Sequence, residues 1–271
     1  MSGPRGGTGG FTVIIPARYA STRLPAKALA DIGGKPMVIR VAERAAASGA
    51  SAVWIATDHD AIAAAADAHG VRVIRSQALH ASGTDRIAEA ARLIGLAADD
   101  IVVNVQGDEP QMPPRLVQDV ARQLANAPDA AMATACHPIE YVDEFLNPNV
   151  VKAVLDAKGF ATYFSRAPIP YPRDRFASLA NAASQTGVRA KLPAETVALR
   201  HLGIYAYRVS FLARYAALSA APTEQLESLE QLRVLWHGFR IAVSVTDHAP
   251  PAGVDTPEDL ARVRRAFDDG K

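Results

Sequence analysis

Along the first half of the chain, short apolar runs alternate with longer segments whose apolar positions recur at helical spacing. Phe11–Ile15, Ala52–Thr57, Val71–Ile74, Ile101–Val105 and Ala131–Ala135 are too short for helices and too uniformly apolar for surface strands. They read as buried strands. Between them, Pro36–Ser48, His59–His69, Thr84–Ile94 and Pro114–Asn126 carry the helical period. The punctuation agrees: Pro36 opens the first helix, Gly49 and Gly70 stop the first two, and "TDR" from Thr84 offers a cap to the third. Such alternation builds parallel β-α-β units with both faces of the sheet covered.

The second half changes style. "VVKAVLDAKGFATYFS" holds two strand patterns around Asp156–Gly159, which reads as a hairpin. Residues 166–198 are rich in proline and alanine and lack a period, so they read as a long surface excursion. "HLGIYAYRV" is a strand pattern, "PTEQLESLEQLRVLW" a helix, and "IAVSV" a strand. "TPEDLARVRRAF" closes the chain as a helix capped by Thr256, with Pro257 in its first turn. Neither repeats nor a linker interrupt the pattern. The expectation is one α/β domain over residues 11–271, mostly parallel, with helices on both faces and an antiparallel insertion; residues 1–10 read as a flexible tail.

Composition narrows the function. A 271-residue chain that is 49% hydrophobic can build a large core. A net charge of +1 argues against nucleic-acid binding through bulk electrostatics, so any anion recognition is expected to be local. The single cysteine, Cys136, excludes an internal disulfide and a cysteine-based metal cluster, and its setting in "AMATAC" reads as strand core. "MSGPRGGTGG" has no apolar run, and the apolar stretches elsewhere are broken by charges. The expectation is a cytoplasmic protein without a membrane segment.

Open α/β sheets bind ligands beyond the carboxyl ends of their strands, so the residues just after each strand matter most. After the first strand, Arg18, Arg23 and Lys27 form a cationic loop with no carboxylate before Asp31. Arginine forks and a lysine point charge suit a polyphosphate, while a solvated loop with scattered cations is the plainer alternative. No Walker A pattern occurs, and "GGTGG" precedes its strand, the wrong side for a dinucleotide fingerprint. Asp58 follows the second strand. "SGTDR" brings Ser82, Gly83, Thr84 and Arg86 to a helix start, which suits either polar ligand atoms or an ordinary cap. "QGDEP" delivers Asp108 and Glu109 from a fully apolar strand, an arrangement that suits a hard cation such as Mg²⁺. Asp255 in "GVDTPEDL" is either a cap or a second ligand, depending on whether folding brings it to Asp108. The histidines show no metal-ligand spacing, although His201 and Tyr205 share a strand face that suits hydroxyl recognition.

Taken together and in order, "VIIPARYASTRLPAKAL", "SGTDR", "VNVQGDEP", "NPNVVKAVLD", "YFSRAPIP", "RHLGIYAYR", "LEQLRVLW" and "GVDTPEDL" resemble the 3-deoxy-manno-octulosonate cytidylyltransferases, the CMP-Kdo synthetases of Gram-negative bacteria. The resemblance runs from about Phe11 to Phe267. It implies a Rossmann-like nucleotidyltransferase sheet and the reaction of CTP with Kdo to give CMP-Kdo and pyrophosphate for lipopolysaccharide biosynthesis. It implies Mg²⁺ as cofactor, CTP and Kdo as partners, no nucleic acid or membrane, and a homodimer. On matching positions it implies that Arg18, Arg23 and Lys27 hold the triphosphate, while Pro16, Ala17, Ser82, Gly83, Thr84 and Arg86 complete the nucleotide site. Asp108 and Asp255 would ligate the metal; Gln106, Arg166, His201, Tyr205 and Glu230 would hold the acidic sugar. Residues 150–235 would carry sugar binding and dimerisation, with the leucines of "PTEQLESLEQLRVLW" partly facing a second subunit. Two departures stand out: Ala26 occupies a position where the family often has glycine, so the loop's backbone is less free there, though alanine permits any φ below zero, and the stretch from Phe176 to His201 is longer than in some relatives.

Overall fold

The computed structural model describes residues 10–21, 23–76, 80, 83–184, 189–193, 195–247 and 249–269. Its contacts divide the chain into two compact units. The first combines the chain up to Asn126 with Ile204–Ala217 and the residues from Pro250; the second combines Ala127–Gly203 with Leu218–Ala249.

The first unit begins with β1 (Phe11–Ala17), followed by the short antiparallel pair β2 (Asp31–Ile32) and β3 (Lys35–Pro36) and then α1 (Met37–Ala46). Next come β4 (Ala52–Thr57), α2 (Asp60–Ala68), β5 (Arg72–Arg75), α3 (Gly83–Ile94), β6 (Ile101–Asn104) and α4 (Pro114–Ala125). The strands lie parallel in the order β6-β1-β4-β5, with Thr12 opposite Ala52 and Val13 opposite Val103. Val13, Ile14 and Ile15 have no exposed surface, as expected for a strand covered on both faces. Helix α4 shows the amphipathic logic plainly: Leu116, Val117, Val120, Ala121 and Leu124 are buried at helical spacing.

In the second unit, β7 (Met132–Pro138) leads to α5 (Val142–Leu146), and β8 (Lys152–Leu155) forms an antiparallel hairpin with β9 (Ala161–Ser165). The expected surface excursion contains a helix, α6 (Phe176–Ser184). Its Leu179 joins Ile139, Val142, Phe145, Val150 and Ala198 in a core cluster, so this aperiodic stretch is tied down by tertiary burial. Strand β10 (Leu199–Arg208) is shared: its first residues pair with β8 in the second unit, and Tyr205–Arg208 run antiparallel to β6 in the first. Helix α7 (Val209–Tyr215) returns to the first unit.

The expected helix over residues 222–236 is two helices, α8 (Pro222–Glu227) and α9 (Gln231–Trp236). Ser228 breaks it by adopting a left-handed backbone, φ 52°. Its leucines divide accordingly: Leu229 and Leu232 are buried, whereas Leu226 is exposed. Strand β11 (Ile241–Val245) then pairs in parallel with β7. The chain closes in the first unit with α10 (Pro257–Asp269). No helix among the described residues is long and apolar enough to cross a membrane.

Candidate active site

In the first unit the chain leaves β1 toward β4 and β5, then returns to the other side of β1 as β6. The carboxyl ends of β1 and β6 therefore flank a topological switch point, the usual ligand crevice of an open α/β sheet. Two close backbone approaches shape it. A Cβ at Gly107 would lie 2.9 Å from the Pro16 carbonyl oxygen, so only glycine lets the loop after β6 sit against the end of β1. A Cβ at Gly253 would lie 3.2 Å from the carbonyl oxygen of Asp108, and the neighbouring Val254 N–H donates to that oxygen at 2.8 Å. Main-chain docking thus carries Asp255 to Asp108.

The ammonium of Lys27 joins the two acids. Its Nζ donates to Asp108 Oδ2 at 2.7 Å and to Asp255 Oδ1 at 3.1 Å, and Arg23 Nη2 lies 3.1 Å from the same Asp255 oxygen. The Lys27 side chain is only 18% exposed, against 65% for Arg23, so Lys27 is the structural centre of the cluster. Burial pulls its pKa down, but the hydrogen bonds and charges of Asp108 and Asp255 outweigh that and leave it above the ordinary 10.5. Asp255 is not consumed as a helix cap. Thr256 and Asp259 cap α10 reciprocally: Thr256 Oγ1 accepts from Asp259 N–H at 3.2 Å, and Asp259 Oδ2 accepts from Thr256 N–H at 3.1 Å.

Two expectations change here. Ala26, which ends the loop before the 3-10 turn Lys27–Leu29, does not keep φ negative but takes the left-handed conformation at φ 52°. The backbone that presents Lys27 therefore carries strain that glycine would avoid. The second concerns Glu109, which follows Asp108 in the chain but does not join it on the Lys27 ammonium. The residue is half-buried, its enclosed Oε2 has no partner among the described residues, and burial, with Asp108's charge adding to it, pushes its pKa up to about 8. It therefore keeps its proton at neutral pH, and the two carboxylates that meet on Lys27 are Asp108 and Asp255.

The third loop cation goes elsewhere. Arg18 lines a cavity of about 350 Å³ together with Tyr19, Asp58, His59, His80 and Arg86. Tyr19 stacks on His59 with ring centroids 3.8 Å apart, and His59 is itself fixed because its Nδ1 accepts from Ala61 N–H at the start of α2. Arg86 is almost wholly buried; its Nη1 donates to Ser76 Oγ at 2.7 Å and to Asp58 at 3.2 Å, while its Nε has no partner among the described residues. Burial raises the Asp58 carboxyl, but the bond and charge of Arg86 prevail and hold it below the usual range. His80 pairs through Nε2 with Glu89 at 2.8 Å and leaves Nδ1 without a partner among the described residues. His80 and Tyr19 were not singled out from the sequence, although each lies just beyond a strand end, where the ligand rule already pointed. Pro16 and Ala17 finish β1, and Gly83 opens α3; Thr84 is buried, its Oγ1 3.4 Å from the Tyr207 hydroxyl. Ser82 lies outside the described residues.

Of the residues expected to meet an acidic sugar, Gln106 and Tyr205 belong to the first unit and Arg166, His201 and Glu230 to the second. The Gln106 carbonyl accepts Glu109 N–H at 3.2 Å, which closes the turn that carries Asp108. Tyr205 lies opposite Asn104 in the β10–β6 ladder. Glu230 is exposed at the start of α9. His201 packs edge-on against Phe164 at 4.9 Å, and its Nε2 lies 2.9 Å from Thr134 Oγ1. The Thr134 hydroxyl also donates to the Leu202 carbonyl at 3.1 Å. Burial pushes the His201 imidazole down to about 3, so it is neutral near pH 7.

The arrangement can hold a polyanion and a hard cation side by side. Two carboxylates already converge on one positive group, and one or two carboxylates with substrate phosphates suit Mg²⁺. Comparisons with known proteins bear on the polyanion. A sequence profile described as Cytidylyltransferase matches residues 12–241. The chain is 60% identical over 255 residues to a 3-deoxy-manno-octulosonate cytidylyltransferase of Acidovorax sp. (strain JS42), covering 94% of this chain and 96% of that protein. A protein of the same name from Herminiimonas arsenicoxydans is 57% identical over 257 residues, covering 95% of this chain and 98% of its own. Among solved structures, that of CMP:2-keto-3-deoxy-manno-octonic acid synthetase complexed with CTP superposes with a TM-score of 0.84 at 40% identity, covering 97% of this chain and 100% of the other.

Proposed function

Because the chain belongs to the cytidylyltransferase family, we propose that it transfers CMP from CTP to Kdo, giving CMP-Kdo and pyrophosphate, as the names of its relatives suggest. The observation that carries this reading is the meeting of Asp108 and Asp255 on the Lys27 ammonium at the β1–β6 switch point. A module that only bound a nucleotide would need no such acid pair.

In the reaction, the anomeric oxygen of Kdo bonds to the α-phosphorus of CTP and gives up its hydroxyl proton to solvent, while the bond to the pyrophosphate oxygen breaks. Such a transfer asks the protein for positioning and charge stabilisation rather than for a nucleophile of its own. Lys27 and Arg23 exchange part of their hold on the carboxylates for the triphosphate oxygens and offset charge that grows on the leaving pyrophosphate. Asp108 and Asp255 would hold Mg²⁺, which, when bound, polarises the phosphate and acidifies the attacking hydroxyl. Arg18 and Arg86 would serve the nucleotide from the neighbouring cavity, where the unpartnered Arg86 Nε and His80 Nδ1 offer hydrogen-bonding atoms. Within the second unit, neutral His201, Arg166 and Glu230 would recognise the acidic sugar. The same reading makes the protein a cytoplasmic homodimer that serves lipopolysaccharide biosynthesis.

The test is pyrophosphate release from CTP and Mg²⁺ in the presence of a panel of 2-keto sugar acids. Release with Kdo is expected. Release with a different acid alone would reassign the sugar, and CTP binding without release under any condition would overturn the enzymatic reading.

A further inference from the structure

Arg166 follows β9 in the second unit, and its bonding differs from that of the other half-buried arginines described in that unit. Arg233 pairs with Glu224 and Arg200 with Glu144. Arg166 takes part in no ion pair among the described residues. Its guanidinium is held by main-chain carbonyls instead: Nε donates to the Glu227 carbonyl at 2.7 Å and Nη1 to the Pro148 carbonyl at 3.0 Å. These neutral acceptors orient the fork without cancelling its charge.

Two charged side chains hold the backbone around it. Glu227, the last residue of α8, accepts from Ser165 Oγ through Oε1 and from Arg166 N–H through Oε2, each at 2.7 Å. Lys152 lies opposite Ser165 in the β8–β9 hairpin and has no exposed surface. Its Nζ donates to the carbonyls of Asn147 at 3.0 Å, Val150 at 2.6 Å and Arg166 at 2.6 Å. An ammonium has a proton for each of these carbonyls, so the buried cation is fully bonded. It ties the loop carrying Pro148 to the residue whose guanidinium that loop accepts. Glu227 carries one negative charge against the two positive charges of Lys152 and Arg166, so the group keeps a net positive charge.

We propose that Glu227 and Lys152 are positioning residues that hold Arg166 as a pre-oriented, uncompensated receptor for the carboxylate of the sugar substrate. This rests on the acidic-sugar reading above and adds to it the machinery behind the receptor. A monocarboxylate cannot outcompete a neighbouring aspartate or glutamate for an arginine that is already paired, so its receptor has to be supported by groups that leave the charge open. Glutamate at 227 achieves this by bonding to the peptide N–H and a hydroxyl, while its own carbonyl takes the guanidinium.

The experiment measures KM for Kdo, KM for CTP, kcat and melting temperature for Arg166→Ala, Glu227→Gln and Ser165→Ala in the full chain. Glutamine would set an amide donor against the Ser165 hydroxyl or the Arg166 N–H. Loss of a charge-assisted bond of this kind predicts a rise in KM for Kdo of roughly 10-fold for Glu227→Gln, with KM for CTP unchanged. Adding Glu227→Gln to Arg166→Ala should then raise KM for Kdo little further. If Arg166→Ala raises KM for Kdo but Glu227→Gln leaves it unchanged, the positioning role is overturned and the sugar reading stands. If Arg166→Ala itself leaves KM for Kdo unchanged, the sugar reading falls and the inference with it. A Glu227→Gln variant that weakens Kdo and CTP equally, with a lowered melting temperature, would reduce Glu227 to a structural part. Should that variant fail to fold, Ser165→Ala takes its place: a selective rise in KM for Kdo supports the role, and none overturns it.

Discussion

Where β1 and β6 end, cations and carboxylates hold one another; around Arg166, a cation is held by carbonyl groups. Lys27 and Arg23 are bonded to Asp108 and Asp255, so any anion that reaches them has to compete with fixed acids. A triphosphate accompanied by a divalent cation can do so, because it supplies several negative charges to the cations and one positive ion to the acids. A sugar carboxylate has no such leverage. The guanidinium of its candidate receptor, Arg166, is accordingly bonded among the described residues to neutral carbonyl oxygens and stays charged. The difference teaches that ion pairing in a ligand-free site is not by itself a sign of a purely structural role. What matters is whether the expected ligand brings enough charge to exchange partners.

The largest effect that could break this comparison lies with the acids. Asp108→Asn and Asp255→Asn should each lower the rate of pyrophosphate release by roughly 10²–10³-fold at saturating Mg²⁺, the usual effect of losing a transition-state electrostatic contact. Near-normal release by either variant would remove that residue from the exchange. Lys27→Ala should come next, lowering kcat/KM for CTP by roughly 10–100-fold while KM for Kdo changes little. An unchanged kcat/KM for CTP would mean that Lys27 serves only to hold the acids.

A pH experiment sharpens the other side. The folded protein keeps His201 neutral down to about 3, whereas the unfolded chain takes up the proton near the ordinary 6.5. Between those values the unfolded state binds more protons, so the stability from this group is complete above 6.5 and is lost as pH falls. The loss could reach about 2 kcal/mol at pH 5. Urea midpoints for wild type and His201→Gln should diverge at pH 7.5 and approach each other toward pH 5; a constant difference would place the imidazole in a wetter setting. The smallest expected effect concerns Ala26. Replacing it with glycine should relieve the left-handed strain beneath Lys27 and raise stability by about 0.5–1 kcal/mol. A lower melting temperature would show that the alanine methyl contributes packing that outweighs the strain.

Much of the framework was legible because it rests on local energetics. The strands Ala52–Thr57 and Ile241–Val245 match the periodic reading end to end, and the helices beginning near Pro36, Pro114 and Pro257 match it to within a few residues. Period, proline at helix starts and glycine at helix ends act within a few residues of chain, so they can be read without a fold. Ser228 is the counterexample. Nothing local forbids a continuous helix there, yet Glu227 bonds back to Ser165 and Arg166 while Leu229 turns into the core.

The residues of the site were nameable from their order along the chain, but their partners were not. Adjacent acids such as Asp108 and Glu109 look alike in a sequence; burial protonates one, and Lys27 with Asp255 claims the other. Arg18, Arg23 and Lys27 formed a single cationic loop on paper, and the fold sends Arg18 to a cavity with Arg86 and the other two to the acids. Chain order and hydrophobic period thus settled which elements form and which loops carry charge. Charge state, partner and orientation waited for tertiary structure, because they depend on through-space distance and desolvation, which residues far apart in sequence set together.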